Sequence, residues 1–93
     1  MAQVDYAPPG SASLAEQIQR AAAEANVILM RNHGVILYDV SMAEAVCAVE
    51  VLENSCRMAV EAARSGIAFR PVPRDQVDSF LRSGYRPPRP WQK

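Results

Sequence analysis

Two four-residue apolar runs, Val27-Ile28-Leu29-Met30 and Val35-Ile36-Leu37-Tyr38, stand either side of the polar tetrad Arg31-Asn32-His33-Gly34. Short runs rich in β-branched residues on either side of a Gly-containing turn read as two strands. Neither run alternates apolar with polar. A strand apolar on both faces is expected to be covered on both faces, as in the middle of an α/β sheet. Gly34 lets the backbone turn sharply or take positive φ directly after the chain's single histidine, His33. Loops at strand ends carry chemistry on a rigid frame, so this tetrad is where a site is expected.

Around this hairpin the chain reads as α-β-β-α with a short third helix. Residues 1–12 are an extended lead-in, in which Pro8-Pro9-Gly10-Ser11 blocks helix and favours a turn. Ser13-Leu14-Ala15-Glu16 fits a capping box, which starts a helix at Leu14 and carries it to about Ala25. Its buried stripe is expected to be Leu14, Ile18, Ala21, Ala22 and Ala25. A second box, Ser41-Met42-Ala43-Glu44, opens a long helix that Ser65-Gly66 ends. Met42, Ala45, Val46, Val49, Leu52, Cys56, Ala59, Val60 and Ala63 recur at three- and four-residue steps along it. Pro71 and Pro73 hold the next segment extended, and a short helix is expected from about Arg74 to Arg82, closed by Gly84. Residues 13–84 form the domain, and residues 85–93, with Tyr85 and Trp91, read as a Pro-rich basic tail.

The sheet is the difficulty. Two short strands do not make a stable sheet in water. Strands apolar on both sides also leave edges that another chain can pair with. The expectation is a polypeptide that completes its sheet with a partner, either another copy or the rest of a larger domain.

Composition narrows the classes. The 93 residues allow one domain at most, and ten bases balance ten acids. Residues 1–63 hold eight of the acids, and residues 64–93 hold seven of the bases. A basic tail can seek nucleic acid or an acidic surface, but no nucleic-acid-binding motif accompanies it, so neither nucleic acid nor membrane is expected as a partner. No run approaches the ~20 apolar residues of a membrane span. The start Met1-Ala2-Gln3-Val4-Asp5 has neither the basic opening nor the apolar core of a signal peptide. Cys47 and Cys56 lie nine residues apart on one expected helix. That puts them on opposite faces about 13.5 Å apart along the axis, too far to pair. They are expected as reduced thiols acting as small core residues, which fits a cytoplasmic protein.

The segment Val27–Ile36, with Pro8-Pro9-Gly10-Ser11 and Leu14-Ala15 before it, resembles the third metal-ligand segment of the class II aldolase/adducin family. Ser41-Met42-Ala43-Glu44-Ala45 and Val51-Leu52-Glu53-Asn54-Ser55-Cys56 look like the helix that follows it, and the resemblance covers about residues 7–64. It implies the C-terminal part of a three-layer α/β/α sandwich around a mixed sheet. It implies zinc-dependent lyase chemistry, with epimerases and decarboxylases among the relatives and non-catalytic adducin beside them. By the same resemblance His33 is a zinc ligand, and no catalytic or other cofactor-binding residue is assigned. The family's other two ligands come from a His-x-His pair earlier in its chain, and this sequence holds one histidine. A catalytic zinc needs about three protein ligands and an open position. The chain alone is therefore expected to bind no zinc and to be inactive. In the complete enzyme the metal would act on a small-molecule substrate as a Lewis acid. A homo-oligomer, or the N-terminal half of the same domain, is the expected partner. The alternative is a non-catalytic, adducin-like module or truncated remnant that self-associates through its sheet.

Overall fold

The structure, a computed structural model, describes residues 1–84; the Pro-rich basic tail expected at 85–93 lies outside the described residues. The element order is β1 (Ala2–Val4), α1 (Ala12–Ala22), β2 (Val27–Met30), β3 (Gly34–Leu37), α2 (Met42–Arg64) and α3 (Arg74–Arg82). Both expected strands are present, and α3 has the expected bounds. One element is new. The lead-in holds a strand, β1, so the order is β-α-β-β-α-α rather than α-β-β-α with a short helix. A three-residue strand carries too little pattern to be read from sequence. It forms because β2 offers a free edge and α1 supplies the crossover that a parallel pair requires.

The sheet order is β1-β2-β3. β1 runs parallel to β2, with Val4 opposite Met30, and β2 runs antiparallel to β3, with Leu29 opposite Val35 and Ile28 opposite Ile36. The result is a small mixed α/β unit. Successive residues of a strand point to opposite faces. Val4 and Ile28 therefore share the face that α1 covers, and with Ala7 and Leu14 they make the core. Ile18, Ala21, Ala22, Met30 and Ile36 pack around it. Ile28 is fully buried, which contributes roughly 1.5–3 kcal/mol. The other face is open: Leu29 is 38% and Val35 45% exposed. Within residues 1–50, α1 is the helix packed on the sheet, and coverage of the second face is not seen there.

Helix α1 begins two residues before the expected Leu14. Ser11 N–H donates to the Pro8 carbonyl at 3.1 Å, closing a turn with Pro9 second and Gly10, at φ 76°, third. Pro and Gly at those two places define a type II turn. The turn delivers Ser11 in extended backbone, where its Oγ accepts from Leu14 N–H at 3.2 Å. Ser11, not Ser13, is therefore the N-cap. The helix ends at Ala22, and Tyr38 Oη donates to the Ala22 carbonyl, one of the last-turn carbonyls a helix leaves without an internal partner. Ala25 is buried as expected, but beyond the helix.

The described residues fall into two compact units, 1–50 and 51–84. The first holds the sheet, α1 and the start of α2. Ser41 Oγ accepts from Glu44 N–H at 3.2 Å, as the second capping box requires. In the second, Ile67 N–H reaches the Ala62 carbonyl at 3.0 Å and Gly66 N–H the Ala63 carbonyl at 3.3 Å. With Gly66 at φ 70°, this is the Schellman ending of α2. No residue of α2 is buried. Ala45, Ala48, Leu52, Ala59 and Ala62 are half-covered, while Met42 is 80% exposed and Val46, Val49 and Val60 are open. The expected apolar stripe is therefore largely exposed among the described residues, and Cys47 and Cys56 are free, exposed thiols rather than core residues. No helix is long and apolar enough to cross a membrane among the described residues.

Candidate metal-ligand turn

The polar tetrad joins β2 to β3. His33 N–H donates to the Met30 carbonyl at 3.1 Å, closing a four-residue turn. Asn32 occupies its third position at φ 64° and is the only non-glycine residue with positive φ among the described residues. With the second position at negative φ, the turn is type II, whose third position takes Gly or Asn. Gly34 follows at φ 144°, again in the region that favours glycine. The expectation of a turn permitted by Gly34 holds, and Asn32 takes the positive φ inside that turn.

The turn is tied to the lead-in. Arg31 N–H donates to the Val4 carbonyl at 3.3 Å, and the Arg31 guanidinium lies 3.2 Å from the Asp5 carboxylate. Both side chains are more than half exposed, so the ion pair is worth under about 1 kcal/mol. The His33 ring stacks on Tyr6, with centroids 5.5 Å apart and planes 8° from parallel. His33 Nε2 lies 2.9 Å from the Ala7 carbonyl oxygen. A carbonyl oxygen only accepts, so Nε2 carries the proton and donates, and Nδ1 holds the lone pair in the neutral ring. Asp5, Tyr6 and Ala7 lie in the lead-in, and no pattern in the sequence ties them to a turn some 26 residues on.

A zinc site needs about three protein ligands. Among the described residues no group of three His, Cys, Asp or Glu side chains is gathered that could hold a metal ion. Glu50 and Glu53 are exposed on α2, Glu53 paired with Arg57 at 3.6 Å. The described residues supply His33 and nothing that would complete a zinc site with it. They do not fit the metal by themselves.

The family profile described as Class II Aldolase and Adducin N-terminal domain matches residues 1–60. No curated protein and no solved structure gave a match to the chain. The matched region includes β1, which the resemblance from residue 7 onward had left out, and runs through the sheet, α1, the His33 turn and most of α2. Covering 60 of 93 residues, it shows that the chain belongs to the class II aldolase and adducin family.

Proposed function

We propose that this chain is one part of a class II aldolase-like domain and is inactive on its own. The complete domain is then a three-layer α/β/α sandwich that binds a divalent metal, zinc by family resemblance, with His33 as one ligand. Its reaction is aldol cleavage, epimerisation or decarboxylation of a small oxygenated substrate in the cytoplasm. The observation that carries this reading is the half-covered sheet. α1 closes one face, while Leu29 and Val35 leave the other open for a second layer. Membership of a generally metal-dependent family supports the rest.

The test is to purify the full chain with whatever assembles on it, and to measure mass by light scattering and metal content together. An assembly that carries zinc, and loses it in His33→Ala, is the expected result. A second reading is a non-catalytic, adducin-like module that associates through its sheet, which the exposed Leu29 and Val35 also support. That module would form a metal-free oligomer. A stable monomer would sink both.

A further inference from the structure

Four consecutive lead-in residues touch the hairpin turn. The Val4 carbonyl accepts from Arg31 N–H, the Asp5 carboxylate meets the Arg31 guanidinium, the Tyr6 ring lies flat on His33, and the Ala7 carbonyl accepts from His33 Nε2. β1 ends at Val4, yet the lead-in stays attached to the turn for three residues more. We infer that His33 is a clasp in this chain: its imidazole is the last rung of a ladder that holds the lead-in against the turn. The Nε2–H that donates to Ala7 fixes the tautomer of the ring and leaves its lone pair on Nδ1. The role is one in the fold of this chain, and no second or third metal ligand is gathered beside the ring among the described residues.

The clasp has a use. β1 is a three-residue edge strand, and short edge strands open easily unless tied down. A flat stack on Tyr6 and a carbonyl bond at Ala7 fix the chain between β1 and the Pro8–Ser11 turn. Ala7 is itself a core residue, so the clasp also holds one wall of the core in place.

His33 is the chain's single histidine, so ring spectra of the full chain are unambiguous. Long-range proton–nitrogen correlation at mildly alkaline pH is expected to show the proton on Nε2. A proton on Nδ1 would overturn the clasp. Tyr6→Ala and His33→Ala are each expected to lower the melting temperature, with the double variant losing less than the sum. His33→Gln keeps an N–H donor without the ring and should recover part of the His33→Ala loss. Strictly additive losses with no recovery would also overturn the inference, and should His33→Ala not fold, the wild-type spectra still decide. The clasp is independent of the proposed metal site in an assembly: ring spectra of the chain alone test the first, and metal content of the assembly tests the second.

Discussion

Ile28 and Leu29 are neighbours of similar size with opposite surroundings. Ile28 is fully buried against α1, and Leu29 is 38% exposed on the open face. Ile28→Ala is expected to cost about 2–5 kcal/mol in urea unfolding, because it empties a closed site that only partly collapses. Leu29→Ala should cost far less, and equal losses would show that the second face is covered in the free chain. The sequence could not separate the two. A continuous apolar run hides the two-residue period that would have assigned faces. Asn32 is similar: its polarity was plain, but the positive φ it must take was not. Asn32→Val is expected to cost about 1–2 kcal/mol more than Asn32→Gly in the same measurement, since a β-branched side chain crowds its own carbonyl there.

Helices were legible where a cap and a period agree. Ser41 and Gly66 bracket α2, and Pro73 and Gly84 bracket α3, so their bounds were readable. At α1 two serines competed. Ser13 has the better sequence pattern, with Glu16 three residues on, but the Pro9-Gly10 turn delivers Ser11 to the cap first. Ser11→Ala is therefore expected to cost about 1 kcal/mol and Ser13→Ala almost nothing, read from urea midpoints. The reverse order would restore the helix start at Leu14. The far end of α1 depends on a contact no local rule could supply, the Tyr38 hydroxyl on the Ala22 carbonyl across 16 residues. Of the site, the turn and its histidine were legible because strand, turn and strand are contiguous. Tyr6 and Ala7 were not, because β1 brings them there and β1 has no period to detect.

At the scale of the molecule the stability is lopsided. β2 is hydrogen-bonded on both sides and, among the described residues, holds the one fully buried large side chain. α2 spans 23 residues with none buried, and a helix without a packed face is marginal in water. Amide exchange in dilute solution should then be slowest in β2 and much faster along α2, because local opening is easiest where little apolar surface is buried. If the open sheet face and the apolar stripe of α2 await a second layer, raising the concentration of a self-associating chain should slow exchange in α2. Leu29→Asp, which puts a charge on the open face without touching the core, should abolish that dependence. Protection of α2 equal to that of β2 at high dilution would mean that the chain needs no partner, and the half-covered sheet would lose its force as an argument for a composite domain.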